Sequence, residues 1–131
     1  SLADTAGHAH PAQVAAYVRR ILAMNPAARV TAHIHNTYGV GMANVYAAMD
    51  AGVTSIESSV GGLGGCPFTK VAAGNVATED LVHGLQRAGV RKDITLQTLI
   101  EVARDVAGFF GRDLPGGVYK IGPINRGAPT C

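Results

Sequence analysis

Charge is scarce in this chain, and so are aromatic rings. Of 131 residues, 15% are charged and 5% aromatic, with no tryptophan, against roughly a quarter charged in an ordinary globular protein. A formal net charge of +2 is too small to imply nucleic acid or a membrane surface as a partner. No apolar run approaches the ~18 residues that would cross a bilayer. Cysteine occurs only at Cys66 and Cys131, which excludes a disulfide framework and fits a reducing compartment. Two phosphate-binding signatures are also missing: no G-x-G-x-x-G follows a strand, and no Gly-Lys-Ser/Thr occurs. What remains is aliphatic. A hydrophobic fraction of 47% over about one domain's length predicts one alanine-rich core.

The elements alternate. SLAD at the amino end reads as a strand running into Asp4-Thr5, as if its beginning lay upstream. Pro11 stands where a helix starts without losing a hydrogen bond. Val14, Val18, Ile21 and Leu22 then form a helical stripe, with Arg19 and Arg20 on the solvated side. Asn25-Pro26 ends that helix. Residues 29–35 read as a strand, and Met42, Val45, Tyr46 and Met49 as a second helical stripe. Residues 53–60 read as a third strand. Leu81, Val82 and Leu85 mark one further helix, and Leu96, Leu99, Ile100, Ala103, Val106 and Phe110 mark the last. Strands alternating with helices of this length imply a parallel α/β sheet. A (β/α)8 TIM barrel of ~250 residues would leave this chain as its C-terminal part: about three βα units plus an extra helix. A small free-standing α/β sheet is the alternative. Either way, function belongs at the C-terminal strand ends.

Polar residues gather at those ends. His33 and His35 lie two apart on a strand, so both face the same side. Two imidazoles so placed either bind one divalent metal or hydrogen-bond to neighbouring loops. Asp4 ends its strand and either handles a substrate hydroxyl or serves as turn chemistry. The longest irregular stretch lies within 57–80, where Gly61, Gly62, Gly64, Gly65 and Gly74 surround Cys66-Pro67. Structureless loops of this length are commonly lids or binding loops. Cys66 there is either an inert small hydrophobe or a reactive, proton-transferring thiol. Asn75 reads as a turn residue or a metal ligand. Thr78 reads as a helix cap, followed by Glu79 and Asp80 facing the helix dipole. His8 and His10 read as loop histidines.

Taken together, SLADTAG, HIHNTYGVGMANVYAAMDAGV and SSVGGLGGCPFTKVAAGNVATEDLV resemble the 3-hydroxy-3-methylglutaryl-CoA lyase family, within the metal-dependent aldolase/Claisen superfamily of TIM barrels. The match runs through residues 1–90, and GGLGGCP followed by GN-x-ATEDL is its specific part. The resemblance implies a carbon–carbon lyase that cleaves 3-hydroxy-3-methylglutaryl-CoA to acetyl-CoA and acetoacetate. It implies Mg²⁺ or Mn²⁺ held by His33, His35 and Asn75, with Asp4, His33 and Cys66 as catalytic groups. The family's remaining Asp ligand, with a catalytic Arg and Glu, belongs to strands outside this sequence. Residues 1–112 then form the C-terminal portion of a barrel domain and 113–131 a tail. The isolated segment is expected to be inactive, and the complete protein to be a homo-oligomer, a dimer, acting on an acyl-CoA. A bacterial-type cytoplasmic protein is the expectation, with a mitochondrial one the alternative. Asn36 stands where many lyases of the family carry Asp, and Ala3 where Gly is common. A related acyl-CoA such as citramalyl-CoA is therefore the alternative substrate. An isopropylmalate-, homocitrate- or citramalate-type synthase and a non-catalytic α/β module are the competing classes.

Overall fold

A computed structural model of the chain describes residues 1–65 and 74–124. Its order is β1 (Leu2–Asp4), α1 (Pro11–Met24), β2 (Thr31–Ile34), α2 (Gly41–Asp50) and β3 (Ser55–Glu57). A 3-10 turn at Val60–Gly62 precedes α3 (Thr78–Arg87), α4 (Leu96–Phe110) and α5 (Val118–Ile121). The three strands form one parallel sheet in the order β1-β2-β3. Each crossover runs through a helix, as parallel pairing demands.

Two clusters make the core. In the first, Val14, Val18, Val45, Leu81 and Leu85 of the helices close over Ala32 and Ile34 of β2. Because Ala32 and Ile34 point into the helices and are fully buried, alternation sends His33 and His35 to the opposite face. In the second, Ile100 and Ala103 of α4 pack on Leu114, Val118 and Tyr119. Tyr119 earns its buried place through its hydroxyl, which accepts from the Leu114 amide at 2.8 Å.

The structure shortens two predicted strands. The one read over 29–35 spans Thr31–Ile34, and His35 continues it only as an isolated antiparallel bridge to Asn75. The one read over 53–60 stops at Glu57, and Gly61 and Gly62 turn the chain with φ of 62° and 72°, values foreign to a strand. Thr78 is also not a cap. Ala77 occupies the cap position without a side-chain bond, and the Thr78 hydroxyl meets that of Ser58 at 2.9 Å.

Both acids of α3 do more than face a dipole. Asp80 accepts from the Gly117 and Val118 amides, at 3.1 and 2.7 Å through the same oxygen, and so anchors the start of α5. Glu79 is fully buried; its Oε2 accepts from the Gly61 amide at 3.0 Å, while its Oε1 has no partner among the described residues. Gly61 in turn accepts from the Gly116 amide at 2.9 Å. Burial pushes the Glu79 carboxyl above its ordinary range, against the smaller pull of backbone donors.

Two consequences can be measured. A carboxyl whose folded pKa is raised contributes stability below its unfolded value, and loses it as pH climbs through the raised value. Wild-type stability to urea should therefore fall as pH rises above the ordinary Glu value of 4.5. Glu79→Gln should flatten that fall, and an unchanged slope would refute the buried-acid account. At Gly61, a Cβ would collide with the Leu114 side chain at a positive φ. Gly61→Ala should cost about 1–3 kcal/mol by urea unfolding; wild-type stability would mean the turn is not packed as described.

Candidate functional site

Register brings three residues into one row across the sheet: Ala3 of β1, His33 of β2 and Glu57 of β3. The His33 Nδ1 lies 2.7 Å from Glu57 Oε2. A carboxylate oxygen accepts, so that bond places a proton on Nδ1, and in the uncharged tautomer the lone pair sits on Nε2. The His33 Nε2 lies 3.2 Å from the His35 Nε2. His35 is buried, with 4% of its surface exposed, and its Nδ1 has no partner among the described residues. Burial lowers its pKa first, the electrostatic influence of the adjacent His33 ring lowers it further, and Asp4 opposes both. Near neutral pH the ring is thereby held in the uncharged form that binds metals.

Asn75 arrives beside this pair from the far side of the glycine-rich loop. It bridges His35 through the backbone, and the Asn36 amide donates to Gly74 at 3.0 Å next to it. Its Nδ2 donates to the Leu63 carbonyl at 3.1 Å, and its buried Oδ1 has no partner among the described residues. Buried acceptors are rarely left so.

A divalent ion fits these groups. Two ligands about 2.1 Å from one ion in octahedral geometry stand roughly 3 Å apart, which is close to the spacing of the two Nε2 atoms. Two imidazoles with an amide oxygen form a mixed nitrogen–oxygen donor set that would take Mg²⁺ or Mn²⁺ alongside other first-row divalent ions, without the selectivity a thiolate site has for Zn²⁺. Among the described residues, no three His, Cys, Asp or Glu are grouped to hold a metal. The histidine pair and Asn75 would thus be a partial ligand set.

The other predicted residues divide. Asp4 pairs with Ile34 in the sheet, and its carboxylate accepts from the His8 amide at 2.9 Å and the Ala9 amide at 3.1 Å. It shapes its own turn, as one of its two readings required, while its charge still reaches His35. Cys66 lies outside the described residues. His8 rests against the Tyr38 ring, and His10 caps α1 through Gln13, so both remain loop histidines. Asn36 accepts from the Gly41 amide at 2.8 Å and docks the start of α2. Sequence reading gave no role to Glu57 or to the burial of Glu79. The signal for Glu57 was parallel register: the last residue of a three-residue strand falls level with His33.

Comparison with known proteins bears on this arrangement. The HMGL-like family model matches residues 1–106. The (R)-citramalyl-CoA lyase of Chloroflexus aurantiacus is 47% identical over 123 residues, which is 94% of this chain and 39% of that protein. A hydroxymethylglutaryl-CoA lyase of Bacillus subtilis is 39% identical over 115 residues, 88% of this chain and 38% of that protein. Relatives include both bacterial and mitochondrial proteins, and no helix among the described residues is long and apolar enough to cross a membrane. An HMG-CoA lyase from Acinetobacter baumannii, solved with coenzyme A and 3-methylmalate, superposes with a TM-score of 0.88 at 40% identity. That match covers 99% of this chain and 43% of the other. The chain spans about two fifths of the length of these relatives, and its three βα units are the fold of the corresponding part of a TIM barrel. Metal dependence is general in this group of lyases. By sequence and by fold, the chain belongs to the HMGL-like family.

Proposed function

We propose that this chain carries the C-terminal part of the active site of a metal-dependent carbon–carbon lyase. The reaction is the retro-Claisen cleavage of a 3-hydroxy-acyl-CoA into acetyl-CoA and a keto acid. The observation that carries the reading is the pair of Nε2 atoms 3.2 Å apart at one strand end, with His35 bridged through the backbone to Asn75, whose Oδ1 has no partner among the described residues. His33, His35 and Asn75 would hold Mg²⁺ or Mn²⁺, with further ligands from strands beyond this segment. The ion supplies Lewis acidity toward the substrate's hydroxyl and carboxylate oxygens.

The chain's own groups do the rest. Asp4, with its carboxylate fixed by two backbone amides at the mouth of β1, or His33 accepts the tertiary hydroxyl proton as the C–C bond breaks. The departing acetyl-CoA enolate then needs a proton at carbon, and Cys66 on the glycine-rich loop is the proposed donor. Closure of that loop would exclude water while the enolate exists.

Two acyl groups fit this chemistry. 3-Hydroxy-3-methylglutaryl-CoA is favoured by the GGLGGCP and GN-x-ATEDL motifs. Citramalyl-CoA is the second reading, favoured by the 47% identity to a citramalyl-CoA lyase and by Asn36. Both keep the same residues in the same roles. A dimer in the bacterial cytoplasm remains the proposed state of the complete protein.

Three measurements on the full-length protein test these assignments. Cys66→Ser should lower lyase turnover at least 100-fold, in line with the loss of a proton-transferring group, and leave Mn²⁺ binding intact; full activity would sink the donor role. His35→Ala should weaken Mn²⁺ binding in an equilibrium titration, and an unchanged affinity would favour a structural histidine pair. Incubation with acetyl-CoA and a keto acid separates the classes, because net accumulation of condensed product would mark a synthase instead of a lyase.

A further inference from the structure

The geometry points to Glu57 as a positioning residue that fixes the tautomer and orientation of His33. The inference rests on the metal-site reading above. Glu57 reaches His33 Nδ1 at 2.7 Å, the short distance of a charge-assisted hydrogen bond. Among the described residues no Lys or Arg is paired with its carboxylate. Its contact with His33 also follows from backbone register and not from a long side chain wandering, since His33 and Glu57 are direct partners across the β2–β3 ladder.

The consequence lies on the other side of the ring. A neutral imidazole carries one proton, and either nitrogen can hold it. With Nδ1 donating to Glu57, the lone pair sits on Nε2, the atom that faces His35. Without Glu57, the Nε2–H tautomer becomes available, and it points a proton where a ligand electron pair is needed. The ring is also free to turn about its last torsion. Carboxylate partners of ligating histidines act in this way, and losing one typically weakens metal affinity 10–100-fold. The side chains of the pair are 32% and 53% exposed, so their bond adds little to folding stability. Glu57 can therefore be changed without dismantling the sheet.

The test is Mn²⁺ binding to the full-length protein, followed by the electron paramagnetic resonance of free Mn²⁺. Glu57→Ala should weaken binding 10–100-fold, and Glu57→Gln should recover most of it, because its amide oxygen still accepts the Nδ1 proton. In the metal-free wild type, long-range ¹H–¹⁵N spectra should place the His33 proton on Nδ1, and in Glu57→Ala they should show it shifted toward Nε2. Wild-type affinity in Glu57→Ala, alongside weakened binding in His35→Ala, would overturn the positioning role and leave the metal site standing. Wild-type affinity in His33→Ala and His35→Ala as well would overturn both. A wild-type His33 found with its proton on Nε2 would overturn the positioning role alone.

Discussion

Everything at this site depends on the two-sided character of β2. A central parallel strand of four residues must bury one side chain set against the helices and present the other across the sheet. Ala32 and Ile34 take the buried face beneath α1 and α2. That packing fixes which way the strand lies, and a slip of one residue would send both histidines into the aliphatic core. The imidazoles are thus aimed by apolar residues of the core. β1 and β3, pairing on either side, then decide what the imidazoles meet: Asp4 lies level with Ile34, and Glu57 level with His33.

The glycine-rich loop is held at its roots by a second set of constraints. Gly61 is gripped from three directions, by the Glu79 carboxylate, by the Gly116 amide and by the Leu114 side chain. On the return, Asn75 is fixed through its amide nitrogen to Leu63. Burying Glu79 costs solvation, and its unpartnered oxygen adds to that cost. The compensation is positional, because Glu79 fixes the first turn of the loop that carries Cys66, while its neighbour Asp80 fixes α5 behind it.

Much of this was legible in the sequence because it follows short-range rules. The stripes of α1, α2 and α4 gave their helices, and the strand–helix alternation gave a parallel sheet. His33 and His35 were legible as a same-face pair from spacing alone, and the GN motif marked Asn75 only by resemblance. What the sequence did not display are the contacts set by register and by the return of the chain. The role of Glu57 needs the β2–β3 alignment, which no local pattern encodes. Glu79 and Asp80 look like ordinary acids in a first helical turn until α5 folds back over them. Thr78 looked like a cap by composition, but Ser58 competes for its hydroxyl.

The unpartnered atoms carry the last step. Asn75 Oδ1 and His35 Nδ1 are both buried without hydrogen bonds among the described residues, and each group left unpaired costs about 1–3 kcal/mol. They lie on adjoining residues, joined by the His35–Asn75 bridge, beside two converging ring nitrogens. A purely structural histidine pair would gain by satisfying these atoms, and a single water or a neighbouring hydroxyl would suffice. A site meant to receive an ion needs Oδ1 kept free, because any internal donor would compete with the metal for the same lone pair. The His35 Nδ1 asks for something different. With a metal at Nε2, Nδ1 would be the donor and would need an acceptor that the described residues do not supply.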